Sequence, residues 1–292
     1  MKLETRIEND TIWLGEHCGV SFIRTLRIPD DGREYPLPAR LGRFPILKVD
    51  DYAHHVPDPW REHGGVFIPM YQREALWLDL SGSDWKPHAL KIGIGKVNAV
   101  SGEAWNAGLT DDPQDYVVVP DQPWLDGINA GNGFIRQFVA MPLGQGQTVE
   151  AQVSGSEDVG GVQLMAVAPK PGRFPDTPPV EPFRESGVLY SSALSDMGLG
   201  VGGRMTQEIY PDDHGLDTWD TDDTARVFVH IANSAMYRDI TGVEPPPTPV
   251  DARSYAEAGL PWFALDDGGS GDLLAPDRLA AVKSINDLDG TW

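Results

Sequence analysis

A single cysteine, Cys18, occurs in the 292 residues. An intramolecular disulfide and a four-cysteine zinc site are therefore excluded, and a reducing, cytoplasmic setting is expected. Long apolar runs are lacking as well. The longest uncharged stretch, Gln137 to Val149, carries Pro142 and several polar side chains, so it is too short and too polar to cross a bilayer. Met1 to Asp10 holds Lys2, Glu4, Arg6, Glu8 and Asp10 with no apolar segment between them, which is not the pattern of a secretory signal. Positive charge is scarce: 23 Lys and Arg stand against 44 Asp and Glu, a net charge of −21. Such a balance repels phosphate, and neither nucleic acid nor an anionic membrane is an expected partner.

Turn-forming residues are plentiful. The 32 Gly and 25 Pro, without a collagen-like period, favour many tight turns over long helices, while 40% hydrophobic residues suffice for a core. Ser21 to Ile28, Val66 to Tyr71, Ala75 to Leu80, Ala89 to Ile94 and Tyr116 to Val119 read as strands. Phe134 to Met141, the alternating Thr148 to Val153, and Gly161 to Val167 read together as an antiparallel meander. Further on, Arg204 to Tyr210 and Arg226 to Ile231 read as strands, and Asn233 to Thr241 as a helix closed by Gly242. Thr248 to Gly259 and Pro276 to Ser284 read as two more helices. Pro169, Pro171, Pro175, Pro178, Pro179 and Pro182 forbid regular structure between, as a boundary or an extended strap. The expected architecture is mainly β, α+β overall. A sandwich-like or barrel-like antiparallel domain spans 1–168, a proline-rich strap or linker 169–186, and a smaller mixed strand and helix region 187–292.

Few motifs carry chemistry. Gly198-Leu-Gly-Val-Gly-Gly203 has the spacing of a dinucleotide loop, but a strand follows it where a helix is required, so close backbone packing or a turn is expected. Asp217, Asp220 and Asp222 are the best-placed oxygen ligands of the acidic stretch from Glu208 to Asp223, should a calcium or magnesium ion bind there. The glycine and glutamate of an EF-hand loop are missing, and a solvated acidic loop is the simpler expectation. His17, His54, His55 and His63 show neither the i, i+4 spacing of a helical metal pair nor the i, i+2 spacing of a strand pair, and read as loop or surface residues. There is no G-x-S-x-G elbow, and Cys18 reads as a buried thiol.

The densest segment runs from Asp115 to Arg136. A strand enters a loop bearing Asp121, Trp124, Asp126, Asn129 and Asn132, and the next strand carries Arg136. Asp121 and Asp126 are the candidate acid and base, because hydrolysis of a glycosidic bond needs two carboxyls across it. Trp124, Asn129, Asn132 and Arg136 are the candidate ligand contacts, an aromatic plate with amides and a cation beside it. Against this, Asp, Asn and Gly serve the local backbone in many loops, and Trp124 could pin the loop to the core. A different signal lies upstream. Arg24, Arg27, Arg33, Arg40, Arg43 and Lys48 are opposed only by Asp30, Asp31 and Glu34, so this stretch is locally positive in an acidic chain.

Two functions are consistent with these residues. The leading one is a non-enzymatic binding or self-assembly protein, with a protein partner or a second copy meeting the charged arm. The other is a carboxylate-dependent hydrolase, acting on carbohydrate. Neither calls for a cofactor. Gly64-Gly-Val-Phe-Ile-Pro-Met-Tyr-Gln72, Pro120-Asp-Gln-Pro-Trp-Leu-Asp-Gly127 and Ile135-Arg-Gln-Phe-Val-Ala-Met-Pro-Leu-Gly144 resemble runs of an uncharacterised family of microbial proteins, as do Met197 to Tyr210 and Phe228 to Ser234. The resemblance covers most of the chain and implies no activity, cofactor or catalytic residue.

Overall fold

A computed structural model describes residues 3–31, 33–35, 37–38, 40–131, 133–177, 197–247, 262–263, 272–274 and 276–289. In the first half the strands are β1 (Thr5–Glu8), β2 (Thr11–Leu14), β3 (Cys18–Thr25), β4 (Glu34–Tyr35), β5 (Leu37–Pro38), β6 (Leu47–Lys48), β7 (Val66–Pro69), β8 (Ala75–Gly82), β9 (His88–Ile94) and β10 (Val97–Asn98). They are followed by β11 (Val117–Val119), β12 (Trp124–Leu125), β13 (Gly127–Gly131), β14 (Phe134–Pro142), β15 (Val162–Pro169), β16 (Met197–Thr206), β17 (Trp219–Ala232) and β18 (Trp262–Phe263). The α-helices are short: α1 (Asp58–His63), α2 (Val149–Ser154), α3 (Ser234–Thr241), α4 (Asp277–Ala280) and α5 (Ile285–Asp289).

Two open sheets carry the molecule. One runs β1-β2-β3-β8-β14-β16-β4, with β12 added to β8 and β13 to β14; the other runs β10-β9-β15-β17-β7-β6, with β11 on β9. Pairing is antiparallel except where β16 meets β4 and β17 meets β7. Neither sheet closes on itself, so the architecture is a sandwich and not a barrel. Alternate residues supply its interior. Val20 and Phe22 of β3, Leu76, Leu78 and Leu80 of β8, Leu90, Ile92 and Ile94 of β9, and Leu164 and Ala166 of β15 belong to one buried cluster. Each Leu or Ile buried this way contributes about 1.5–3 kcal/mol before entropy is counted. The outer face of β9 and β15 is buried too: Ala89, Met165 and Val167 form a second cluster with Tyr116, Val118 and Trp219, which explains why these strands read as nearly continuous apolar runs.

Several sequence expectations change. Thr148 to Val153 is not a strand: Thr148 caps α2, its Oγ1 accepting from the Ala151 amide at 3.1 Å, and Gly155 ends the helix at φ +80°. The Glu150 carboxylate fixes the turn that follows, accepting from the amides of Asp158, Val159 and Gly160 at 2.7–3.1 Å. The meander therefore does not form. β14 lies in one sheet, β15 in the other, and α2 carries the chain between them. Pro276 to Ser284 holds only α4, because Ser284 opens α5: its Oγ accepts from the Asp287 amide at 3.0 Å while Asp287 Oδ2 accepts from the Ser284 amide at 3.1 Å.

Other expectations hold in shifted form. The strand placed at Arg204 to Tyr210 starts earlier, and β16 absorbs the glycine run. Close packing explains those glycines: a Cβ on Gly200 would come within 2.8 Å of the Gln147 carbonyl, and one on Gly203 would collide with that of Pro29. The helix after Asn233 is present as α3, capped by the Asn233 side chain and closed by Gly242 at φ +69°. Thr248 to Gly259 lies outside the described residues. β16 and β17 follow the proline-rich segment, yet they pair with β14 and β15, so residues 187–292 contribute strands to both sheets.

Candidate functional site

At one end of the sandwich, the β2–β3 turn, the β8–β9 turn and the residues leaving β15 surround a cleft of about 960 Å³, with Leu3, Arg6, His17, Lys86, His88 and Phe174 among its walls. Gly15, at φ +75°, allows the first turn, and the Lys86 amide closes the second on the Ser83 carbonyl at 2.9 Å. Register brings the two together. β3 pairs with β8 so that Cys18 lies opposite Gly82, which sets His17 beside Ser83.

His17 is held from several sides. Its Nδ1 is 3.1 Å from Ser83 Oγ, its Nε2 is 3.9 Å from the Glu16 carboxylate, and its ring meets Trp85 edge-on at 4.7 Å. Burial pushes its pKa below the usual histidine value; the Glu16 charge opposes that shift, and Lys86 and Arg6 add to it. The His88 ring lies 6.1 Å from that of His17, centre to centre. His88 is 2% exposed, and burial lowers its pKa to about 4, so it is neutral at pH 7. A carbonyl only accepts, so the 3.0 Å contact between His88 Nδ1 and the Lys86 oxygen places the ring proton on Nδ1. Nε2 is then a bare acceptor with no partner among the described residues.

The proline-rich segment forms one wall. The Lys170 amide donates to the Thr218 carbonyl at 2.8 Å, and Asp217 accepts from Lys170 Nζ at 2.7 Å and from Arg173. The cations of the cleft are already matched: Lys86 by Asp176 at 2.7 Å, Lys170 by Asp217 at 2.7 Å, and Arg6 by Glu8 at 3.7 Å.

The residues singled out in the sequence lie elsewhere. Asp121 is exposed, its Oδ2 3.3 Å from His214 Nε2. Asp126 is 1% exposed, and burial pushes its carboxyl up to about 7. The Trp124 indole N–H approaches it and opposes the shift, but the hydrogen bond is incomplete, and both Trp124 Nε1 and Asp126 Oδ2 are buried without a partner. Neither Asp121 nor Asp126 lines the cleft. Asn129 serves the backbone, accepting from the Gly131 amide at 2.9 Å and donating to the Leu274 carbonyl at 3.3 Å. Arg136 donates to the Val282 carbonyl, and Asn132 lies outside the described residues. Asp217 is engaged by the strap, while Asp220 accepts from the Asp222 amide at 3.1 Å. Among the described residues, no three His, Cys, Asp or Glu side chains converge to hold a metal.

His17, Ser83 and His88 were not legible as a group. Ser83 and His88 flank one turn, between β8 and β9, but His17 comes from the β2–β3 turn, and only strand register brings it to them. No helix among the described residues is long and apolar enough to cross a membrane. No family model, curated protein or solved structure matches the chain, so its resemblance to an uncharacterised microbial family brings no activity with it.

Proposed function

We propose that this acidic β-sandwich is a cytoplasmic binding protein and that its ligand is a small, uncharged organic molecule seated in the cleft of His17 and His88. The observation that carries the reading is His88 in the wall of a cleft of ligand size, with Nδ1 committed to the Lys86 carbonyl at 3.0 Å, which leaves Nε2 as the acceptor. Such an acceptor calls for a hydroxyl or amide donor. The matched cations of the cleft leave little to attract an anion, and Leu3 and Phe174 suit an apolar portion of the ligand.

Self-assembly through the positive arm has less support. Arg24 pairs with Glu74 at 2.8 Å and Arg40 with Asp79 at 3.0 Å, so part of that charge is already answered within the chain. The test is nuclear magnetic resonance of the imidazole nitrogens during titration with small alcohols, amides and sugars. Compounds that bind should move His88 Nε2, with weaker movement of His17. Binding that leaves both rings unmoved, or no binding by any member of the panel, would overturn the proposal.

A further inference from the structure

We propose that Ser83, joined to the cleft wall by its contact with His17, is a nucleophile with His17 as its base, and that the pair cleaves carboxylic esters through an acyl-Ser83 intermediate. This rests on the cleft being a ligand site and adds a reaction to it. Ser83 opens a tight turn at the end of β8, and its Oγ is 3.1 Å from His17 Nδ1, within reach for proton transfer. When Ser83 donates to Nδ1, the ring proton sits on Nε2, facing the Glu16 carboxylate 3.9 Å away. That charge favours the required tautomer and steadies the imidazolium once it forms. Trp85, edge-on at 4.7 Å, keeps the ring from turning. Burial keeps His17 unprotonated at neutral pH, which is the state a base needs.

The reaction balances without a further reagent. Ser83 Oγ bonds to the ester carbonyl carbon as its proton passes to His17 Nδ1; the carbon–alkoxide bond then breaks, and the departing alcohol takes that proton. Water next attacks the acyl-serine, giving one proton to His17, and the carboxylic acid leaves as Ser83 recovers its proton. The negative oxygen formed in each step needs donors. The amides of Asp84 and Trp85, the two residues after Ser83, donate to no described residue and are available for it. His88 Nε2 remains the acceptor that orients the substrate, as in the binding proposal.

The whole chain is treated with a fluorophosphonate probe, the labelled residue is located by mass spectrometry, and hydrolysis of p-nitrophenyl acetate and butyrate is followed. Label on Ser83 is expected, with hydrolysis lost in Ser83→Ala and reduced about 10²–10⁴-fold in His17→Gln. The rate should rise with pH below 6.5 and then level, as His17 loses its proton. A Ser83→Cys variant guards against a folding defect, because iodoacetamide should alkylate it faster than the same cysteine combined with His17→Gln. Absence of label, label at another residue, or equal hydrolysis by Ser83→Ala would each overturn the proposal. Movement of His88 by bound alcohols or amides is measured separately, so loss of the esterase reading leaves the binding reading standing.

Discussion

Lys91 holds its ammonium against the Asp115 carboxylate with no part of its side chain exposed. The Asn106 side-chain oxygen at 3.1 Å and the Gly108 carbonyl at 2.6 Å accept hydrogen bonds from the same ammonium, and Asp115 Oδ1 accepts from the Thr110 amide at 2.9 Å. The pair thus pins the 106–115 loop over the outer face of β9. Lys91→Met leaves a buried carboxylate uncompensated and should lower stability by about 3–5 kcal/mol, with a similar loss for Asp115→Asn. The double variant should lose clearly less than the sum, as read from urea unfolding. Additive losses would show that the two charges act independently.

The strands of the core were legible because their alternation is set locally: Leu76, Leu78 and Leu80 face inward, whatever lies across from them. α2 was not. Thr148 to Val153 fits a strand's alternation and a single helical turn equally well, and the choice is made by Glu150 gripping amides eight to ten residues away. Asp126 was legible as an unusual residue, but not its burial, which follows from β12 and β13 sharing the edge of two other strands. The pairing of His17 with Ser83 gave no signal, since 66 residues separate them and nothing local specifies the pairing of β3 with β8.

Asp126 supplies a pH test. Its folded pKa, about 7, lies above the ordinary value of 3.8, so its protonated form favours the fold; the benefit is full below pH 3.8 and lost as pH rises to 7. The interval corresponds to roughly 4 kcal/mol at most. Asp126→Asn keeps the shape and cannot ionise. It should melt above the parent at pH 8 and within a degree or two of it at pH 4. A variant less stable at both pH values would mean that the carboxylate itself is needed.

His230 acts in the opposite direction. It stacks between Trp60 at 4.5 Å and Phe228 at 4.3 Å, its Nε2 contacts the Gly64 carbonyl at 3.0 Å, and burial lowers its pKa to about 4. A depressed histidine pKa gives stability that is present above the free value of 6.5 and lost as pH falls toward 4. Its slope is about 1.4 kcal/mol per pH unit. His230→Phe keeps the stack and loses the titration. Urea midpoints taken between pH 6.5 and 4.5 should fall less steeply in this variant, and an unchanged slope would place the proton uptake elsewhere.

Gly203 separates packing from phosphate binding. Its α-carbon lies so close to the Pro29 carbonyl that a methyl group there must displace the chain at Ile28 and Pro29. That chain is tied to β14 by Gln137, which accepts from the Ile28 amide at 3.0 Å and donates to the Leu26 carbonyl at 2.9 Å. Gly203→Ala should therefore lower stability by about 1–3 kcal/mol. Gly108→Ala, whose added carbon would meet only the Asn106 side-chain oxygen at 3.5 Å, should stay within about 0.5 kcal/mol of the parent. Neither ATP nor NAD should raise the melting temperature of any of the three proteins, because the glycines lie inside β16 with their backbone facing other chain. A nucleotide-dependent rise in the parent, abolished by Gly203→Ala, would reverse this assignment and make the run a phosphate loop.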